Sequence, residues 1–110
     1  MMLPNATRAV IDRRKLVDYC LNPDHPRGKN KARVFLAALG VGTQEASELD
    51  AKIRESILET DCRESGRDEF GIRYTVDFTW VRPGRKATVR TTWILKTLED
   101  FPRLTSCYVL

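Results

Sequence analysis

The apolar residues of this chain change their spacing near residue 70, and that change limits the folds that the chain can adopt. Before it, apolar side chains recur every three or four positions, as on one face of an α-helix. After it, apolar and polar residues alternate along 74–81 and again along 87–95, with Arg82-Pro83-Gly84-Arg85 between them as a turn. The sequence therefore predicts an α+β domain in which three N-terminal helices are followed by an antiparallel sheet.

The helix boundaries follow from capping residues and prolines. Asp12 is expected to cap a first helix over 11–21, which Asn22-Pro23 ends. A second helix starts around Lys29 and closes at Gly40, and Thr43 is expected to cap a third. Residues at core spacing are predicted to share one core: Phe35, Leu36, Leu39, Leu49, Ile53, Val89 and Trp93.

The sheet is predicted to have three or four strands. Two belong to the hairpin and a third covers 103–110, which is rich in residues that favour strands. A fourth strand near 61–70 is left open, because that stretch is polar and bracketed by glycines. With 110 residues, the chain is expected to form a single domain, 1–110.

Composition excludes several classes of protein. No apolar run approaches the roughly 20 residues that span a bilayer, and the start lacks a signal-peptide pattern, so a cytoplasmic protein without a membrane partner is expected. Cys20, Cys62 and Cys107 are odd in number and widely spaced, and the chain has one histidine. Neither a disulfide framework, a metal site nor a cofactor is predicted.

Charge is distributed in blocks. The net charge is +4, but residues 1–40 and 71–110 carry +5 and +4 while residues 41–70 carry −5. The first helices and the sheet are therefore expected to share a positive side that attracts phosphate chains such as RNA. The alternative is that these charges form an ordinary solvated surface.

The strongest candidate for chemistry is the loop before the second helix. Pro23 and Pro26 stiffen it around His25, the side chain whose unperturbed pKa suits proton transfer near neutral pH. Several cations follow at the helix start, where they oppose the helix dipole unless an anion is bound: Arg27, Lys29, Lys31 and Arg33. A surface histidine among solvated cations is the alternative interpretation.

Strand alternation predicts a second polar group on one face of the sheet. Arg90 and Thr92 project together from the middle strand, and Ser106 and Tyr108 from the last strand. One guanidinium beside three hydroxyls suits a phosphate. A half-exposed antiparallel sheet also carries such residues without any function.

The sequence resembles a known group over nearly its whole length. The stretches at 3–12 and 102–108, Leu-Asn-Pro-Asp-His-Pro-Arg-Gly-Lys-Asn-Lys-Ala-Arg-Val-Phe at 21–35 and Thr-Val-Arg-Thr-Thr-Trp-Ile at 88–94 resemble an uncharacterised family of short bacterial proteins. Its members also look like C-terminal domains of polymorphic toxins. Their layout is similar to the barnase, EndoU, colicin and RelE group of metal-independent ribonucleases, a similarity of fold and not of site.

The resemblance implies a ribonuclease toxin that cleaves RNA by 2′-hydroxyl attack and has a small cognate antitoxin or immunity protein as its partner. The predicted catalytic residues are His25, Lys29, Lys31, Arg90, Thr92, Ser106 and Tyr108. The predicted RNA-binding residues are Arg27, Lys29, Lys31, Arg33 and Arg90. The alternative is a non-catalytic, antitoxin-like or regulatory module whose basic face binds nucleic acid or a protein.

Overall fold

The computed structural model describes all residues, 1–110. Helical segments lie within the first 59 residues, and the strands follow. The elements are a 3-10 turn (Ala6–Arg8), a π-helix (Lys15–Cys20), α1 (Lys29–Leu39), a second 3-10 turn (Thr43–Glu45), α2 (Ala46–Glu59), β1 (Arg63–Asp68), β2 (Gly71–Arg82), β3 (Arg85–Lys96) and β4 (Arg103–Val109).

The four strands form one antiparallel sheet in the order β1-β2-β3-β4, so the predicted α+β class is confirmed. The stretch at 61–70, which the sequence left open, supplies β1 at one edge. Its residues are almost all exposed, as polar residues of an edge strand can be. β4 forms the other edge.

The β2–β3 hairpin is the most regular part of the sheet. Its pairing runs without interruption from Gly71 opposite Lys96 to Arg82 opposite Arg85. Gly84 closes the turn with a φ of 72°, a left-handed conformation that glycine adopts without strain. Because the register is unbroken, side chains facing the helices on β2 also face them on β3.

The core lies between the helices and one face of the sheet. Phe35 and Leu39 from α1 meet Leu49 and Ile53 from α2, with Val89 and Trp93 from β3, as predicted. Leu36 was expected there too, but that prediction is wrong, because 58% of its surface is exposed. Ala32, Phe35 and Leu39 already form the inward stripe of α1, so Leu36 lies at its margin.

The first helix differs from its prediction in type and length. Asp12 does cap it, since its carboxylate accepts the Arg14 N–H at 3.0 Å. The turns that follow are those of a π-helix, in which the Leu21 N–H donates to the Leu16 carbonyl at 2.8 Å, five residues back. The wider turn changes which side chains of this segment face the core.

The start of the third helix also differs from its prediction. Thr43 makes no side-chain capping bond. The Gly42 N–H donates instead to the Glu45 carboxylate at 2.9 Å. The longest helix, α2, has 14 residues, and none of the helices combines the length and apolar composition that crossing a membrane requires.

Candidate anion-binding site

His25 is held by the backbone that follows it. Its Nδ1 atom accepts the N–H of Arg27 at 3.0 Å and that of Gly28 at 2.9 Å, and its carbonyl accepts the Lys29 N–H at 3.0 Å. The imidazole therefore takes the place of a capping side chain at the start of α1. An Nδ1 atom that accepts two hydrogen bonds carries no proton, so in the neutral ring the proton is on Nε2.

Close packing brings this loop against the π-helix. A Cβ atom on Gly28 would lie 2.2 Å from the Tyr19 carbonyl oxygen, so only glycine allows the approach. The His25 ring then stands edge-on to the Tyr19 ring, with centroids 4.9 Å apart and planes at 81°. The imidazole and the phenol thus form one wall.

Lys31 lies between two tyrosines and has no carboxylate partner. Its Nζ donates to the Tyr19 hydroxyl at 2.8 Å. It also lies 4.9 Å from the centroid of the Tyr19 ring and 5.7 Å from that of Tyr108, within cation–π range. Because Tyr19 belongs to the π-helix and Tyr108 to β4, Lys31 connects the helical side of the site with the sheet.

A shallow pocket of about 380 Å³ opens beside this contact, at the β4 edge of the sheet. We call it the edge pocket, and its lining residues are Lys15, Tyr19, His25, Arg27 and Thr105. No carboxylate lines it. The pocket is large enough for a small anion. It is lined by two permanently charged cations, one imidazole and two hydroxyl groups.

On the sheet, Arg90 is engaged by Asp77. The Arg90 guanidinium donates two hydrogen bonds to the Asp77 carboxylate, at 2.8 and 2.9 Å. This pairing, aided by the neighbouring Tyr108 hydroxyl, raises the pKa of Arg90 further. It also holds the pKa of Asp77 below its usual value, with Arg63 at 3.7 Å adding a second cation. The positive charge of Arg90 is thus largely compensated within the protein.

A bulge changes the predicted pattern on β4. The β3–β4 register shifts between Thr92 and Trp93: Ser106 pairs with Thr92 and Leu104 with Trp93, which leaves Thr105 as an extra residue of β4. As a result Thr105 joins the polar face, where its hydroxyl lies 2.7 Å from that of Thr92. Strict alternation from Ser106 and Tyr108 predicts that Thr105 lies on the opposite face, and the bulge makes that prediction wrong. The Ser106 hydroxyl is buried without a hydrogen-bond partner.

Lys29 and Arg33 lie apart from the edge pocket. They line a second pocket of about 320 Å³ beside α1, which we call the α1 groove. The other lining residues are Leu21, Pro23, Ala32, Leu36, Gly42 and Thr43. The predicted site residues therefore fall into three places: His25, Arg27 and Lys31 around the edge pocket, Lys29 and Arg33 in the α1 groove, and Arg90 on the sheet beside Tyr108.

The cations around the start of α1 share one property. Eleven of the nineteen lysines and arginines form salt bridges with carboxylates. Between residues 15 and 33, every lysine and arginine lacks a salt bridge. These five residues are Lys15, Arg27, Lys29, Lys31 and Arg33. Three more, Arg85, Lys86 and Lys96, lie near the two ends of β3, so the largest group of cations without a salt bridge lies around the start of α1.

Sequence reasoning missed three residues of the edge pocket: Lys15, Tyr19 and Thr105. An α-helix would place Tyr19 near the inward face that Leu16 marks, and only the π-helical turn leaves it half-exposed. Thr105 depends on the bulge. Nowhere in the structure do three or more histidine, cysteine, aspartate or glutamate side chains group closely enough to hold a metal ion.

The family of the chain follows from comparison with known protein families. The profile described as "Domain of unknown function (DUF6883)" matches residues 2–110, nearly the whole chain. The chain belongs to the DUF6883 family. No curated protein matches this DUF6883 domain, and no solved structure matches it either.

Proposed function

We propose that this DUF6883 domain binds RNA at the edge pocket and cleaves it without a metal ion, as the toxin half of a toxin–antitoxin or toxin–immunity pair. The observation that carries the proposal is the run of five cations without carboxylate partners: Lys15 and Arg27 line the edge pocket with Tyr19 and His25, and Lys31 donates to the Tyr19 hydroxyl. RNA carries a negative charge at each phosphate of its backbone, so one RNA strand can offer an anionic partner to several of these cations.

In the proposed complex, one phosphate occupies the edge pocket. Lys15 and Arg27 supply positive charge, the Nε2–H of His25 donates to a phosphate oxygen, and Thr105 offers a hydroxyl. Lys29 and Arg33, in the α1 groove, bind a neighbouring phosphate of the same RNA strand. An anion held there also relieves the unfavourable placement of cations at a helix N-terminus.

The proposed reaction needs one group that accepts a proton and one that donates a proton. The ribose 2′-hydroxyl gives its proton to a base, its oxygen bonds to phosphorus, and the 5′-oxygen leaves with a proton from an acid. Two phenols stand beside Lys31: the Tyr19 hydroxyl accepts its hydrogen bond, and the Tyr108 ring lies 5.7 Å from its Nζ. We assign the two proton transfers to this pair, one tyrosine accepting the 2′ proton as a phenolate and the other donating its phenol proton to the 5′-oxygen, and charge stabilisation to Lys15, Arg27 and Lys31.

His25 then acts differently from the acid or base that the sequence suggested. Proton transfer at Nε2 requires the ring to move its proton to Nδ1, and that would break both backbone hydrogen bonds. A hydrogen-bond donor that stays in place fits the geometry better. The layout of helices followed by a four-stranded sheet, similar to that of the barnase and RelE group, supports the proposal as an analogy only. Three free cysteines are typical of a reducing compartment such as the cytoplasm, where RNA is available.

Cleavage of a 5′-labelled RNA in excess chelator tests the reaction. We expect a 2′,3′-cyclic phosphate product, and a loss of roughly 10²–10⁴-fold in rate for Tyr19→Phe or Tyr108→Phe, as is typical for a lost acid or base. Tyr74→Phe, at a tyrosine in the core, is the matched control and should retain full activity. Cleavage that the chelator abolishes, or that both site variants retain, would rule out this mechanism.

Binding is tested separately with single-stranded RNA and a salt titration. Replacing Lys15, Arg27 and Lys31 with glutamine should weaken binding and reduce the slope of log affinity against log salt by about 0.7 for each lost phosphate contact. Lys86→Gln and Lys96→Gln remove charge from lysines of β3 that lack salt bridges and serve as controls. Equal effects per charge removed in the two sets would mean that binding reflects net charge alone.

A second candidate is the non-catalytic module, antitoxin-like or regulatory. It is favoured by the fact that Asp77 engages Arg90 and two backbone N–H groups occupy Nδ1 of His25, which leaves fewer groups free for chemistry. Salt-dependent RNA binding without cleavage, and without growth arrest on expression, would select this function.

A further inference from the structure

The two edges of the sheet differ in what covers them. At the β4 edge, Val10 runs beside the strand: its N–H donates to the Pro102 carbonyl and its carbonyl accepts the Leu104 N–H, both at 2.9 Å. At the β1 edge, no backbone group of Arg63–Asp68 is hydrogen-bonded to the backbone of any segment outside the sheet. The outer side of β1 is therefore a row of backbone donors and acceptors that another strand can pair with.

A bulge places Glu64 and Arg67 in equivalent positions on β1. Glu64 lies opposite Tyr74, and Arg67 lies opposite Ile72, with Ser65 as an extra residue between them. Because the two partners on β2 are two positions apart, Glu64 and Arg67 share one face of the sheet and direct their backbone groups the same way. In agreement with this, the Arg67 guanidinium donates to the Glu64 carboxylate at 2.9 Å.

The backbone groups of Glu64 and Arg67 point away from β2. Cys62, two residues before Glu64, donates its N–H to the Met1 carbonyl at 2.6 Å and not to β2. Since the direction of the N–H and C=O groups alternates along a strand, those of Glu64 also point outward, and those of Arg67 point with them. Both residues thus offer a donor and an acceptor at the open edge.

We propose that β1 pairs with β1 of a second copy of this chain, antiparallel and about a two-fold axis, so that two four-stranded sheets form one sheet. The register sets Glu64 opposite Arg67 of the second copy, and it sets Arg63 opposite Asp68. Each contact occurs twice by symmetry, so every charged residue of β1 faces one of opposite sign. The charge pattern of β1 is therefore complementary to itself.

The bulge is what makes this register possible. Residues three apart on a regular strand direct their backbone groups in opposite directions, so Glu64 of one copy and Arg67 of the other could not both point into the interface. With Ser65 inserted, both point outward and can exchange N–H and C=O hydrogen bonds. A purely protective edge needs its charges only to repel other strands and has no need of this match.

The inference goes beyond the proposed function and does not depend on it. β1 and β4 are opposite edges of the sheet, so pairing through β1 leaves the edge pocket of each copy open. Only six residues of each copy form the contact. An interface of that size is small, and we expect a dimer that dissociates on dilution.

Analytical ultracentrifugation of the full chain tests the pairing with charge-reversed variants. The parent should shift from the mass of one chain, 12.6 kDa, toward twice that mass between roughly 10 µM and 1 mM, the range expected for a small interface. Glu64→Arg or Arg67→Glu alone sets like charges opposite each other twice and should raise the dissociation constant roughly tenfold or more. Circular dichroism checks that each variant folds.

Mixing the two variants is the decisive measurement. In the mixture, each cation of Glu64→Arg faces a carboxylate of Arg67→Glu, so the two should associate with each other as strongly as the parent does with itself. The double variant that carries both changes should also regain self-association. Glu55→Arg is the matched control, because Glu55 pairs with Lys52 three residues away on α2, and it should associate like the parent.

Amide hydrogen exchange shows whether β1 forms the interface. The amides of Glu64 and Arg67 should exchange more slowly in concentrated than in dilute protein, and this protection should be lost in either single variant. The proposal is overturned by a parent that stays monomeric at the highest concentration, by single variants that associate like the parent, by a mixture that associates no better than its components, or by protection that leaves β1 out.

Discussion

Replacing His25 separates its role in folding from its role at the site. In His25→Ala the two N–H groups that donate to Nδ1 lose their acceptor. Arg27 is exposed, so water replaces the bond there, but Gly28 is buried and its N–H stays unpaired. A buried unpaired donor costs about 1–3 kcal/mol, and loss of a helix cap about 0.5–2 kcal/mol. We expect His25→Ala to lower the free energy of unfolding by about 1–3 kcal/mol.

His25→Asn is the matched control. Its Oδ1 lies as many bonds from the backbone as Nδ1 does, so it can accept the same two N–H groups, but it has no atom that corresponds to Nε2. We expect it to keep the stability of the parent to within about 0.5 kcal/mol. In the site proposed above it should still lose the contact between Nε2 and a phosphate, so reduced RNA affinity in a fully stable variant would assign that function to the ring.

Urea unfolding followed by fluorescence of the buried tryptophans, Trp80 and Trp93, measures both variants. With a slope of about 1–3 kcal/mol per molar urea, the midpoint of His25→Ala should fall by roughly 0.5–2 M. The capping interpretation fails if His25→Ala unfolds at the same urea concentration as the parent. It also fails if His25→Asn is destabilised as much as His25→Ala.

Two further predictions concern the fold. Phe35→Ala should lower the free energy of unfolding by about 3–5 kcal/mol because Phe35 is fully buried, whereas Leu36→Ala should change it by no more than about 0.5 kcal/mol. If thermal unfolding shows similar losses for both variants, the exposed position of Leu36 is contradicted. The second prediction concerns the ion pair between Arg90 and Asp77. Because Arg90 lowers the pKa of Asp77 in the folded protein, the pair stabilises the fold fully at any pH above the ordinary carboxyl pKa. This stabilisation is lost as the pH falls through the lowered pKa of Asp77. Asp77→Asn should therefore be less stable than the parent at pH 7 by about 1–3 kcal/mol, and the gap should shrink below about pH 4; a gap independent of pH would refute this.

Much of the fold could be predicted from the sequence because its signals are local. Gly40 ends α1 with a φ of 67°, and the alternation around Pro83-Gly84 produces the hairpin. What failed depends on neighbours distant in sequence. Leu36 has the helical spacing of a core residue, but spacing shows only which residues share a face and not how wide the covered stripe is. β1 could not be assigned from its polar residues, because pairing with β2 alone makes it a strand.

The candidate site was predictable in its residue types and only partly in its geometry. The stiff loop at 22–28 does place His25 and Arg27 at one pocket, as the two prolines suggested. The helical period explains why Lys29 and Lys31 separate, since residues two apart on a helix do not share a face. No comparable pattern in the sequence predicts the bulge, which brings Thr105 next to Thr92. The same is true of the π-helix, which leaves Tyr19 half-exposed.

The fold determines which cations have a carboxylate partner. For this reason the proposed phosphate contacts lie around the start of α1 and not on the face of the sheet. Arg90 meets Asp77 because the hairpin register sets them directly opposite each other, and a shift of one residue would turn the carboxylate to the other face of the sheet. A phosphate approaching Arg90 must therefore compete with a carboxylate that already makes two hydrogen bonds. The close partners of Lys31 are the two tyrosines and include no carboxylate, so an anion near it has no carboxylate to displace. The chain can thus contain the residue types expected of a phosphate site on the face of its sheet, while the cations near the edge pocket that have no carboxylate partner, Lys15, Arg27 and Lys31, lie in the π-helix, the following loop and α1.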